Sequence, residues 1–427
     1  MMKKIISLIL ALALILSLTT ALADPTEIDG TGKRDITINR AGLNEDPAVL
    51  VEEGISPTTG RRLDEISVPN SFLGAAVTYT YTPVMVMVSN AGGGGEVNVK
   101  GNPETAPING SYADVIYEAI QATDNGRGSL SRLTVIYSDT IPDYVGFVRS
   151  TRLTHARLRQ EWDSVFLTSG YHAADIPDEW KKLGVTNPDS GDRTAKDPGY
   201  VYVGQNTNKI YTKGYYYAIS GIKDANSKVF LLAKQMLDLY PTAQKNGHKP
   251  ANHTWKFTDE IPEGGDTAEI VWVEFGSDNT NSRLEYDEET NSYFRYIKTD
   301  NGEDVLYREQ QLVNPEVKKV KSGSSVTKKL VCEDRVFGEA ITFNNVIVQA
   351  IDMNWRGAER PDPVLTGTGN ADYFMGGKHY EGVWERQDIN DRTVFYDKNG
   401  NEIEMQRGRT LIILMDYSSG KRSVRYE

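Results

Sequence analysis

The chain has a single cysteine, Cys332, in 427 residues, so no intramolecular disulfide can form. A chain of this length can bury enough apolar surface to fold without one. Cys332 follows Leu330 and Val331 and is expected to pack as a small buried hydrophobe. Histidine is also scarce, with only His155, His172, His248, His253 and His379. His248 and His253 lie five apart, which fits neither the i, i+4 pair of a metal-binding helix nor a zinc-finger spacing. No metal site and no cofactor is expected. The serine elbow Gly-x-Ser-x-Gly is missing. The glycines at 92–95 are not followed by Gly-Lys-Ser/Thr, so they read as a flexible loop rather than a phosphate cradle. Positive charge is outweighed too, with 47 Lys and Arg against 59 Asp and Glu, a formal −12. Such a chain repels nucleic acid and anionic membrane surfaces at long range, which argues against nucleic-acid binding.

Long apolar runs are confined to the first residues. Met1-Met2-Lys3-Lys4 precedes an apolar stretch from Ile5 to Leu18, then Thr19-Thr20-Ala21-Leu22-Ala23. A basic start, a short apolar core and small residues at 21 and 23 predict a signal peptide over residues 1–23, cleaved before Asp24. The run is shorter than the roughly 20 residues of a spanning helix, so no membrane span is expected after cleavage. Without a cysteine at the cleavage site there is no lipid anchor. The expected address is secreted or extracytoplasmic, in the cell envelope. The 404 residues left carry −14, because Lys3 and Lys4 depart with the signal.

Residues 24–79 are polar, acidic and rich in Gly, Pro and Thr, which predicts an extended leader, partly disordered, lying along the first domain. Apolar runs at 83–90, 115–120, 133–138 and 164–170 read as buried strands. Residues 149–162, 176–183 and 229–239 read as helices, the second with Pro177 in its first turn. This alternation predicts an α/β layered domain over 80–262. Beyond it, short alternating runs and the two-residue turns Gly376-Gly377 and Asn399-Gly400 predict a β-rich domain over 263–427. The fold class expected is therefore mixed α+β and α/β, with a charged excursion from 309 to 329.

Two clusters stand out as chemistry. Arg149 and Arg152, three apart at the start of the predicted helix, would share a face near its positive end, where guanidinium forks bind carboxylate or phosphate. An internal ion-pair network with Glu118 or Asp163 is the bland alternative. Glu118 interrupts an apolar strand and needs a buried cation, which Arg132, Arg149 or Arg152 could supply. Asn90, Glu118, Gly170 and His172 fall at or near strand ends, where ligands of α/β sheets bind. An aromatic group, Tyr373, Tyr380, Trp384 and Phe395, reads as cross-strand packing before it reads as a sugar platform.

These residues resemble the YerB-like family of bacterial lipoproteins, which has an N-terminal and a C-terminal domain of unknown function. The resemblance runs from Ser56-Pro57-Thr58-Thr59-Gly60 through Ala113-Asp114-Val115-Ile116-Tyr117-Glu118 and Gly146-Phe147-Val148-Arg149-Ser150-Thr151-Arg152. It resumes at Asn345-Val346-Ile347-Val348-Gln349, Gly367-Thr368-Gly369, Gly382-Val383-Trp384 and Gly408-Arg409-Thr410. It covers residues 56–416 and implies a two-domain envelope protein, but no reaction. The lipobox cysteine of the family is missing. The expected function is binding of an anionic or carbohydrate-bearing ligand, such as a cell-envelope polymer or an anionic small molecule. The alternative is a hydrolase of envelope polymers using Glu118 and His172.

Overall fold

In the computed structural model the described residues are 24–41, 47–66, 81, 83–90, 107–122, 130–146, 148–169, 171–185, 200–203, 216–218, 229–231, 253–276, 281–298, 304–357 and 360–427. The signal segment 1–23, the glycine run 92–95, Gly170 and His248 lie outside them.

An eleven-stranded sheet carries the core. Its strands, in chain order, are β1 (Val84–Ser89), β2 (Val115–Ala122), β3 (Leu130–Tyr137), β4 (Val165–Ser169), β5 (Tyr200–Val203), β6 (Asp266–Thr267), β7 (Asn345–Ala350), β8 (Gly367–Met375), β9 (Lys378–Arg386), β10 (Val394–Asp397) and β11 (Thr410–Met415). The spatial order is β6-β9-β8-β7-β11-β2-β3-β1-β4-β5, with β10 against β9. Strand β11, from near the C-terminus, pairs in parallel with β7 on one side and β2 on the other. All six residues of β11 are buried. Each of its apolar side chains contributes about 1.5–3 kcal/mol by leaving water.

A seven-stranded antiparallel sheet packs on this one. It runs Thr26–Glu27, Ser423–Tyr426, Ile270–Glu274, Ser282–Asp287, Ser292–Lys298, Asp304–Leu306, with Thr342–Phe343 beside Ser292–Lys298. Ile270–Glu274 shows the half-buried alternation, Val271 and Val273 facing in.

The three α-helices among the described residues are α1 (Pro47–Glu52), α2 (Leu153–Trp162) and α3 (Ile176–Lys182). The expected α/β layered domain is therefore corrected, and the described residues are β-rich in both halves. The physical reason lies in strand direction. β2 and β3 are antiparallel, as are β3 and β1. Antiparallel neighbours need only a turn, whereas parallel ones need a crossover, usually a helix. Where a helix was expected at 229–239, Val229–Leu231 forms a strand against Tyr216–Ala218 and Val145–Gly146. A short Val-Phe-Leu run suits either element, and its pairing decides. The helix expected from Arg149 begins only at Leu153. Val148 bridges Val88, and the Arg149 N–H donates to the Met87 carbonyl at 2.9 Å, so this segment stays extended along β1.

The described part of the leader touches both halves: Ser56 and Thr59 bond to Asp139 in the N-terminal half, while its first residues lie along the C-terminal half. Thr26–Glu27 adds to Ser423–Tyr426, and Arg34 makes a bidentate pair with Asp372 on β8, at 2.8 and 3.2 Å. Most of the aromatic group is core: Tyr373, Trp384 and Phe395 are buried and Tyr380 is half-buried, with Trp162 edge-on to Trp255 at 5.7 Å and Trp255 against Phe395 at 5.9 Å. Cys332 is half-buried rather than buried, just past the end of Ser325–Val331 in a two-stranded ribbon. Among the described residues this ribbon pairs with no further strand, so it encloses its side chains less than the large sheet does.

Candidate functional site

Strand alternation sorts the candidate residues onto two faces of one sheet. Glu118 pairs in register with Leu133, Ile120 with Ser131, and Ala119 with Arg132. Glu118, Ser131 and the neighbouring Asn90 therefore share one face, and Arg132 lies on the other.

On the first face Glu118 is fully buried. Its Oε1 accepts from Asn90 Nδ2 and Ser131 Oγ, each at 2.7 Å. Its cation is Arg295, from Ser292–Lys298 in the second sheet, with Nη2 at 2.8 Å and both side chains 1% exposed. Tyr307 closes the network: its hydroxyl donates to Asn90 Oδ1 at 3.2 Å and its ring faces the Arg295 guanidinium at 4.8 Å. Sequence reasoning found the carboxylate and its need for a cation, but Arg295 gave no local signal. A carboxylate this enclosed has no approach for a substrate.

On the opposite face lies α2. The Trp162 indole N–H donates to the Tyr117 hydroxyl at 3.0 Å, and Tyr117 belongs to the same face as Ala119 and Arg132. At the start of α2, Arg132 Nη1 and Arg152 Nη1 both donate to the Ser150 carbonyl, at 3.0 and 3.2 Å. Arg132, Arg149, Ser150 and Arg152 are all half-buried. Arg152 is the N-cap, and its backbone N–H donates to His155 Nδ1 at 3.0 Å. Burial first, then the charges of Arg132 and Arg152, hold His155 well below the usual histidine range. It is thus a neutral imidazole accepting at Nδ1, with its proton on Nε2.

His172 stands apart from Glu118. Its backbone N–H donates to the Thr151 carbonyl, and Nδ1 lies 2.9 Å from Asp175. Asp175 also takes Arg360 at 2.6 Å and Arg356 at 3.4 Å. Bonding to Arg360 holds the Asp175 carboxyl below its ordinary value. So the structure brings Asn90 to Glu118 and Arg132 to Arg152, keeps these groups on separate faces, and places His172 in a third.

Sequence reasoning missed a fourth cluster, although the resembling motifs pointed to it. Ser56 and Thr59 hydroxyls donate to the buried Asp139. The Ser138 and Asp139 N–H groups donate to Asp114 at 2.6 and 2.9 Å. Thr410 N–H donates to the Asp114 carbonyl, and Gly408 N–H to the Thr59 carbonyl. Gly60, at φ 66°, could carry no Cβ, which would sit 2.3 Å from Phe257. Burial, then the charge of Asp139, raises Asp114 well above the carboxylate range; burial also raises Asp139. A carboxyl raised in the fold contributes stability that is fully present below its unfolded value near 3.9 and is lost as pH climbs through the folded one. Asp114→Asn, whose amide oxygen can accept the same two N–H groups, is therefore expected to change little at pH 4. At pH 8 it should stabilise by on the order of 1 kcal/mol. Urea midpoints at the two pH values check this, and a variant less stable at pH 8 than at pH 4, relative to the parent, would contradict it.

Comparison with known proteins gives two family matches. Residues 74–228 match the N-terminal domain, and 271–412 the C-terminal domain, of "Protein of unknown function (DUF3048)". The crystal structure of the YerB protein from Bacillus subtilis, 17% identical, superposes with a TM-score of 0.53 over 87% of this chain and 99% of that one. At that identity the likeness speaks to the fold alone. No curated protein matches the chain.

Proposed function

This chain belongs to the YerB-like family of DUF3048 proteins, and from that premise we propose that it is an exported protein that holds an anionic group of a cell-envelope polymer at Arg132 and Arg152, with Arg149 beside them. The observation that supports this reading is the convergence of two guanidinium groups on the Ser150 carbonyl, at a half-buried surface. The imidazole next to them stays neutral under their charge, so it adds no positive charge to the cluster. Guanidinium forks match phosphate and carboxylate oxygens, and the positive end of α2 acts in the same sense. In a chain of net charge −12 the affinity must come from this local cluster rather than from the overall field. Export follows in this reading from the basic, apolar and small-residue pattern of residues 1–23. No described helix is long and apolar enough to cross a membrane.

Co-sedimentation with purified cell-wall fragments tests the proposal. Arg132→Ala with Arg152→Ala should lower the bound fraction at least tenfold in 0.05 M salt, at a stability cost of about 1 kcal/mol per lost hydrogen bond. Undiminished sedimentation of the double variant would overturn it.

A further inference from the structure

A second site of opposite charge is carried by a cleft far from the arginines in the sequence. It has a volume of about 690 Å³ and is formed where Lys256–Thr258 meets Glu404–Gln406, with the start of β9 and the turn after β10 as its other walls. That is the size of a small-molecule site. Seven carboxylates line it against two lysines. Some of that charge is already matched: Glu381 faces Arg34 at 3.2 Å, and Asp397 accepts from its own turn at Asn399 and Asn401. Glu260, Glu263 and Glu404 are exposed and make no ion pair with a described residue.

The second observation is Glu402, whose side chain is 3% exposed and lines the same cleft. Its Oε1 lies 3.1 Å from His253 Nε2. Its Oε2 makes no hydrogen bond with a described residue, Lys256 Nζ being 3.7 Å away. A buried carboxylate oxygen left in that state is costly unless something else donates to it. At the lip, Ile261 is 42% exposed next to Pro262 and Tyr380. The Tyr380 hydroxyl is tied to the Pro262 carbonyl at 2.7 Å. Apolar surface and carboxylates thus line one cleft. Among the described residues no three acids, histidines or cysteines stand close enough to hold a metal ion, so the negative charge is spread rather than focused.

We propose that this cleft binds an aliphatic oligoamine, its ammonium groups on the carboxylates and its methylene stem on Ile261, Pro262 and Tyr380. Spread charge suits ammonium groups separated by methylenes, and an ammonium supplies up to three donors for the exposed carboxylates Glu260, Glu263 and Glu404. The inference is independent of the arginine cluster.

Calorimetric titration of the full chain with spermidine tests it. One saturable binding event is expected in 0.05 M salt. Glu260→Gln with Glu263→Gln, both exposed, should weaken it at least tenfold. Glu288→Gln with Glu289→Gln removes the same charge on an exposed turn outside the cleft and should leave it within twofold. No saturable event, or equal weakening by both pairs, would overturn the proposal, the latter because it would show diffuse counter-ion attraction.

Discussion

Replacing Arg295 with methionine should destabilise the protein by about 3–5 kcal/mol, the cost of leaving one member of a buried ion pair without its partner. Glu118 would keep Asn90 and Ser131 as donors, but both are neutral, and no water reaches a side chain that is 1% exposed. The pair itself is not expected to be a large net source of stability. Two donors of Arg295, Nε and Nη1, make no hydrogen bond with a described residue, and desolvation of both ions offsets much of their attraction. Glu118→Leu combined with Arg295→Met should therefore recover most of the loss. Recovery should fall short by about 1–2 kcal/mol, because Asn90 and Ser131 would then lose their acceptor. Chemical denaturation of the three variants checks this, and a single variant as stable as the parent would contradict the buried pair.

Glu161→Ala should cost a similar amount, about 3–5 kcal/mol, through a different seam. Glu161, on α2, accepts from Arg386 Nη1 at 3.1 Å and from the Thr393 N–H at 3.0 Å, and both charged side chains are at most 1% exposed. Burial pushes the Arg386 guanidinium below its ordinary value, and the charge of Glu161 opposes that shift. Beside it the Arg392 guanidinium lies 3.4 Å from the Trp162 ring centroid. Alanine at 161 would leave a buried cation without its counter-charge, bonded only to the Arg157 and Ile389 carbonyls, and the buried Thr393 N–H without its acceptor. A denaturation midpoint unchanged from the parent would refute that reading.

Much of the β architecture is legible in the sequence because turn chemistry is local. Gly376 and Gly377 adopt φ of 59° and 70° between β8 and β9, and Asn291, at φ 46°, closes the turn between Ser282–Asp287 and Ser292–Lys298. The demand of Glu118 for a cation is legible too, since a carboxylate amid Ile116, Tyr117, Ala119 and Ile120 cannot stay unmatched. Which arginine answers it is not. Arg132 is close in sequence, but the register of β2 and β3 turns it to the other face, while Arg295 arrives from 177 positions away on another sheet. Local pattern also misplaces Arg149, because an extended segment bonded to β1 and a helical first turn can share one composition. The Asp114–Asp139 cluster joins four distant segments, 56–60, 114, 138–139 and 408–410, of which the first, second and fourth carry the family resemblance.

The most direct test of the arginine site is a titration of inorganic pyrophosphate into the parent, the Arg132→Ala/Arg152→Ala variant and Arg295→Met, followed by phosphorus magnetic resonance below the melting temperature of each. Saturable line broadening should appear with the parent and with Arg295→Met, whose guanidinium lies on the other face of the sheet, and vanish with the double variant. Broadening that survives loss of Arg132 and Arg152 but disappears with Arg295 would contradict the account.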